Sequence, residues 1–177
     1  MHGTMPATQA LSAVIAEYAG TPDEIRSHLA GAALHEVLDY WESLRGGRRF
    51  PARADFNPMV LRRHLPVIYL MDALADGSFR YRVVGDMISD FFGAGSPVGR
   101  TPQEIFGDTA EVALAPYRRV CAEGCLYTHT ASAVWLHKDR NYVHYNVLLL
   151  PMGESDARVD KILAAVDFVS EEAAQRG

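Results

Sequence analysis

Trp41–Pro58 reads WESLRGGRRFPARADFNP, with four arginines, two glycines and two prolines set between two apolar stretches. Two readings compete: a basic grip for a phosphate-bearing ligand, or a structural joint leading into a folded domain. As a joint, Pro51 and Pro58 stiffen the connection and Asp55 or Asn57 caps the next helix. Arg53 then pairs with Asp55 or with helix-end carbonyls, while Arg48 and Arg49 stay solvated. An exposed pair of that kind is worth at most about 1 kcal/mol. The joint reading is the simpler one.

Upstream of the joint, TPDE (Thr21–Glu24) is a helix start: Thr21 caps, Pro22 takes the first helical position and Glu24 completes a capping box. Apolar residues follow at Ile25, Leu29, Ala33, Val37, Leu38, Trp41 and Leu44, and Gly46-Gly47 supplies a left-handed stop. The pattern predicts one long helix of about 36 Å at about 1.5 Å per residue. Gly31 weakens its middle by about 1 kcal/mol. ATQALSAVIAEYAG, ending at Gly20, is expected to form a short amphipathic segment before it.

Downstream, NPMVLRRHL reads as a short helix capped by Asn57. PVIYLMDA and SFRYRVVG read as a hairpin turning at Asp76-Gly77. DMISDFFG is a brief helix capped by Asp86 and closed by Gly93, and TPQEIFG is another helical turn. DTAEVALAPYRRVCAEG carries a capping signal at Asp108 and Glu111, contains Pro116 and ends at Gly124. YTHTASAVWLH, NYVHYNVLLLP and KILAAVDFVS are β-branched and aromatic, so the last third is strand. The expected fold is α+β: a five-stranded antiparallel sheet with helices segregated in mid-chain.

The 177 residues suit one domain plus an extension, and 49% hydrophobic against 22% charged is the balance of a soluble globular chain. A net charge of −5 argues against nucleic acid and anionic membrane as partners. No apolar run approaches the roughly 20 residues of a membrane span, and MHGTMPATQA lacks the pattern of a signal peptide. A cytoplasmic location is expected. Cys121 and Cys125 are too few for a disulfide framework and read as small buried groups.

The order of elements resembles a PAS domain: two strands, short helices ending in a longer one, then three strands. LDYWESLRGGRRFPARADFNPMVLRRHLP, FRYRVVGD, FFGAGSPVGRTPQEIF and YNVLLLPM resemble a bacterial PAS subfamily. Its members carry a tryptophan helix, a P-x-R-x-D-x-x-P joint, a Y-R-x-V-G strand end and a late L-L-L-P strand. The likeness covers about Leu38 to Val169. It divides the chain into an N-terminal helical extension, 1–46, and a PAS domain, 47–170. It implies a dimeric sensory or interaction module rather than an enzyme, acting in signalling through a small ligand or a partner protein. No output segment is legible in the sequence.

The resemblance also lets cofactor chemistry be tested. Photoreactive flavin-binding members need a cysteine in a G-x-N-C-R-F-L-Q-like helix, and the corresponding GRTPQEIFG has none. Haem-binding members commonly use a histidine on the longer helix, which here has none, leaving only Tyr117 or Cys121 as ligands. The sequence identifies no cofactor. For a metal, His129 and His137 lie roughly 26 Å apart along one strand at about 3.3 Å per residue, too far to share an ion with His144. Alternation instead gives an outer face of Trp135, Tyr142, His144 and Asn146. The inner face is Val134, Leu136, Val143, Tyr145, Val147 and Leu149. Both faces need cover, and the N-terminal helix, of the same chain or a partner's, is the natural cover for the outer one.

The expected ligand site lies between the inner face and the central helices. Leu114, Tyr117 and Cys121 form the inward stripe of the longer helix; Phe91, Phe92, Ile105, Phe106 and Tyr145 complete an aromatic lining. Arg82 and Arg118 are the polar candidates to orient an anionic ligand. A homodimer through the N-terminal helix and outer sheet face is expected. Two alternatives remain. Arg49-x-x-x-Arg53 matches half of the PilZ signature for cyclic dinucleotides, whose D/N-x-S-x-x-G half begins at Asp76-Gly77-Ser78 but meets Tyr81 in place of the final glycine. A small hydrolase or isomerase with an unrecognised site is the other, and it requires a polar cavity with a perturbed base.

Overall fold

The computed structural model describes residues 14–93, 95–132 and 142–176. In chain order the elements are β1 (Val14–Gly20), α1 (Pro22–His28), α2 (Ala32–Arg45), β2 (Ile68–Ala73), β3 (Phe79–Val84), α3 (Asp86–Phe92), α4 (Pro102–Phe106), α5 (Ala110–Glu123), β4 (Leu126–Ser132), β5 (Tyr142–Met152), β6 (Lys161–Ser170) and α6 (Glu171–Ala174). Short 3₁₀ turns at Arg53–Asp55, Pro58–Leu61 and Leu65–Val67 carry the joint into β2. The strands form one sheet in the order β1-β4-β5-β6-β2-β3, every neighbour antiparallel. The architecture is the expected α+β, PAS-like one, with a sixth strand added.

That sixth strand corrects the reading of the first twenty residues. Val14–Gly20 pairs with β4, Glu17 opposite His129 and Gly20 opposite Leu126, instead of forming a helix. β-branched Val14 and Ile15 and the ring of Tyr18 suit a pleated edge, and without β1 the backbone edge of β4 would be bare. Ala7–Ala13 of the predicted segment lie outside the described residues.

The long N-terminal helix is two. The Thr21 capping box forms as predicted, but α1 ends with Leu29 extended and α2 starts after Gly31, whose φ of +82° and ψ of 147° only glycine adopts readily. A Cβ there would also meet Asp167 Oδ2 at 2.7 Å. Two other capping expectations fail. Gly85, not Asp86, precedes α3, and Thr109 precedes α5 without a side-chain cap, because Asp108 falls inside a 3₁₀ turn, Gly107–Thr109, one residue ahead of the helix cap. Asn57 does cap, accepting from Met59 N, but the helix it starts is a single 3₁₀ turn.

Apolar residues on alternate strand positions separate into two cores. On one side Ile68, Leu70, Leu148, Leu150, Leu163 and Ala165 meet Ile25 of α1 and Leu34, Val37, Leu38 and Trp41 of α2. On the other, Tyr69, Met71, Tyr81, Tyr127, Val147, Leu149, Ala164 and Val166 meet Ile88, Leu114, Tyr117 and Val120. The outer face is thus covered by the chain's own α1 and α2. Tyr145 and Asn146 fall on the inner and outer faces as alternation requires. Val134, Trp135, Leu136 and His137, and the side chains of Tyr142 and Val143, lie outside the described residues.

Candidate functional site

Rings line the inner face of the sheet and border a strip, here termed the trough. Its floor comes from the two central strands, where Val147 lies opposite Val166 and Leu149 opposite Ala164. Tyr69 of β2 and Tyr81 of β3 rise on one side, with ring centroids 5.7 Å apart. Tyr127 and His129 of β4 rise on the other, 5.7 Å apart. Two strands separate these walls, so their backbones stand about 14 Å apart at about 4.8 Å per strand spacing. α3 and α5 form the roof. Phe91 sits 5.1 Å from both Tyr145 and Phe168, and Phe92 sits 5.4 Å from Tyr81 and 5.1 Å from Phe106. Edge-on and tilted contacts at these distances are favourable for aromatic pairs.

The floor is fully buried, whereas Phe91, Phe92, Ile105, Phe106, Tyr145 and Phe168 remain half-buried. Solvent therefore reaches the rings at the rim. Beneath them, three phenols meet: Tyr69 Oη lies 2.9 Å from Tyr117 Oη, and Tyr81 Oη lies 3.4 Å from it. Burial, first of all, pushes all three phenols above their ordinary range, so they are neutral hydrogen-bonding groups. At the far wall, burial lowers His129 to about 4, against a smaller opposing pull from Glu17. The imidazole is therefore neutral at pH 7, and its Nδ1 is buried without a hydrogen-bond partner among the described residues. Tyr127 donates its hydroxyl to Glu17 of β1.

Eight of the ten residues expected at the site gather here. Leu114 and Tyr117 are in the buried core, Phe92, Ile105, Phe106, Cys121 and Tyr145 pack against it, and Phe91 meets Tyr145 edge-on. Arg82 and Arg118 do not join them. Arg82 projects from the opposite face of β3 to Tyr81 and pairs with Asp72, which also takes Lys161 Nζ at 2.9 Å. Arg118 pairs with Glu111 on the exposed side of α5. Sequence reasoning overlooked Tyr69, Tyr127 and Phe168, and read His129 only as a possible metal ligand. Strand alternation carries the signal: Tyr69 and Met71, Phe79 and Tyr81, and Tyr127 and His129 each share a face.

The arginines of the joint are structural, and more of them are engaged than expected. Arg48 Nη2 pairs with Asp55 at 2.6 Å and also bonds Leu44 O. Arg49 Nη2 donates to Glu123 O at the end of α5, and Arg53 Nη1 to Phe56 O. A separate cleft of about 400 Å³ lies at the end of β1, where Arg45 and Arg49 are balanced by Glu24 and Glu123. The sheet is open at β1 and β3 rather than closed, and Tyr81 is buried in the core, which removes the PilZ barrel alternative.

Residues 29–166 match the family model described as PAS domain. The chain belongs to the PAS-domain family. The match takes in α2, β2 to β5, most of β6 and the central helices but not β1, and members of this family are, in general, sensory and signalling modules rather than catalysts. Among solved structures, the chain is similar to the PAS domain of Bordetella pertussis BvgS, at 21% identity and a TM-score of 0.46, over 68% of this chain and 93% of that one. No curated protein matches. Among the described residues, no helix of this PAS protein is long and apolar enough to cross a membrane.

Proposed function

We propose that this PAS domain is a cytoplasmic sensor that holds a small ligand in the inner-face trough and passes its occupancy to a partner polypeptide. One observation carries the reading: Phe91, Phe92, Phe106, Tyr145 and Phe168 stay half-buried over a buried floor of Val147, Leu149, Ala164 and Val166. Phe91 and Phe92 sit at the end of α3 and Leu114, Tyr117 and Cys121 on α5, so a ligand entering between them changes the packing of both helices against the sheet. Polar groups within the trough are neutral, which favours binding over acid–base turnover.

Native mass spectrometry of freshly purified protein tests this. The expected result is a population heavier than the bare chain by one small molecule. A folded protein of bare-chain mass, left without thermal stabilisation by a panel of small aromatic compounds, overturns the reading.

The sensor is further proposed to act as a homodimer. Its outer sheet face is occupied by α1 and α2, so a second copy would meet the far side of that helix pair or the free edge of β1, where Ile15 is 66% and Tyr18 is 41% exposed. Sedimentation velocity should show a dimer at micromolar concentration, and a monomer at every concentration rules this part out.

A further inference from the structure

The tyrosine cluster leaves a proton over. Three phenolic hydroxyls bring three donor hydrogens, and only two contacts link them, both through Tyr117. Whichever way the bonds run, one O–H has no acceptor among the described residues. Tyr81 is fully buried and Tyr69 and Tyr117 are each 5% exposed, so bulk water does not supply one. Buried hydroxyls in native proteins are almost always paired. Across the trough, His129 Nδ1 is also buried and, among the described residues, unpaired. Two polar groups thus stand short of partners on opposite walls of the ring-lined inner face.

What is missing at the tyrosines is an acceptor. An anionic one fits poorly, because Arg82 and Arg118 lie elsewhere and the residue paired with His129 on β1 is the acidic Glu17. Burying an ion without a partner is strongly unfavourable. A cation brings donors where a donor is already in excess. The walls are ring faces, which stack on another flat ring.

Resting on the reading that the trough holds a ligand, we infer that this ligand is an uncharged, planar aromatic compound bearing a carbonyl, its ring among Phe91, Phe92 and Tyr145 and its oxygen on the spare phenolic hydrogen of the Tyr69–Tyr117–Tyr81 cluster.

Acetophenone and ethylbenzene, titrated into the full chain by calorimetry, serve as probes that differ in the acceptor. Single Tyr→Phe changes still leave at least one spare hydrogen, so the informative variant is Tyr69→Phe/Tyr81→Phe/Tyr117→Phe. The ratio of acetophenone to ethylbenzene affinity should fall about three- to ten-fold in that variant, the worth of one neutral hydrogen bond. An unchanged ratio, with both compounds still bound, overturns the ligand class while leaving the trough a binding site. Binding of neither compound to the unaltered chain overturns both. A second measurement needs no variant: the carbonyl stretch of bound acetophenone should lie below its value in hexane, and a hexane-like frequency overturns the inference. Benzoate should bind at least ten-fold more weakly than acetophenone at pH 7.5; equal or tighter binding overturns it as well.

Discussion

The indole Nε1–H of Trp41 donates to the main-chain oxygen of Pro151 at 2.8 Å, linking positions 110 residues apart. Both residues belong to the segments whose resemblance to PAS proteins is plainest, the tryptophan helix and the late L-L-L-P strand. The contact explains why they occur together. Trp41 is 1% exposed and packs α2 against the outer side of the sheet, so its one polar atom must find a partner there. Pro151 lies near the end of β5 opposite Ile162, and its carbonyl is that partner.

Trp41→Phe keeps an aromatic ring but removes the donor and leaves a void. The expected loss is about 2–3 kcal/mol of unfolding free energy, from one hydrogen bond to a buried acceptor and a partial cavity. Urea denaturation followed by circular dichroism measures it. A loss under about 0.5 kcal/mol would show that α2 is not anchored at this point.

Gly31 fixes the break between α1 and α2. Gly31→Ala meets two obstacles, a backbone conformation costing about 1–3 kcal/mol for other residues and the Asp167 carboxylate. Gly47 in the joint is the matched control, since a Cβ there meets nothing within 4 Å and its φ is not positive. Gly31→Ala should lower the urea midpoint clearly, while Gly47→Ala should stay within about 0.5 kcal/mol of the parent. Equal effects would mean that the α1–α2 break is not set by Gly31.

Local signals with a single physical cause were legible in the sequence. The Thr21 capping box, the Asn57 cap, the left-handed stops at Gly93 and Gly124 and the β2–β3 hairpin all form where read. What failed was decided by partners distant in the chain. Val14–Gly20 is a strand because β4 offers it an edge, and nothing within the segment announces that edge. The stripe from Ile25 to Leu44 is continuous, yet Asp167 and the unusual backbone of Gly31 divide it. On the inner face, Leu114, Tyr117 and Cys121 were legible together because helical spacing put them on one stripe. The two arginines lie away from the inner-face rings because Asp72 on the neighbouring strand and Glu111 two turns back on the same helix hold them. The tyrosine cluster escaped notice because three strand and helix positions converge on it, none unusual in its own segment.

Cys121 and Cys125 are free, and burial raises the pKa of both thiols, that of Cys121 from 9.0 to about 11. Only the thiolate reacts, so at pH 8 the raised value reduces the reactive fraction of Cys121 about a hundred-fold. Iodoacetamide should label Cys121 about two orders of magnitude more slowly than free cysteine, with full labelling in urea; peptide mapping distinguishes it from Cys125. Rapid labelling of the native protein at Cys121 would contradict its placement against the inner core.

His129 ties the trough to pH. Its folded pKa of about 4 lies below the ordinary 6.5, with burial as the main cause. The unfolded chain therefore takes up a proton as pH falls through 6.5, and the folded protein does not until about 4. Stability associated with this group is complete above 6.5 and is lost progressively down to about 4. The slope in between is about 1.4 kcal/mol per pH unit, and the whole loss is about 3 kcal/mol. His129→Gln cannot take up the proton in either state, so the difference in stability between parent and variant should shift in the variant's favour across this window and level off below it. Carboxylates that titrate in the same range cancel in that difference. Paired urea titrations from pH 7.5 to 4 measure it, and a difference that stays flat would mean that water or a charged partner reaches His129 in the folded protein, contrary to the dry ring-lined wall on which the ligand site rests.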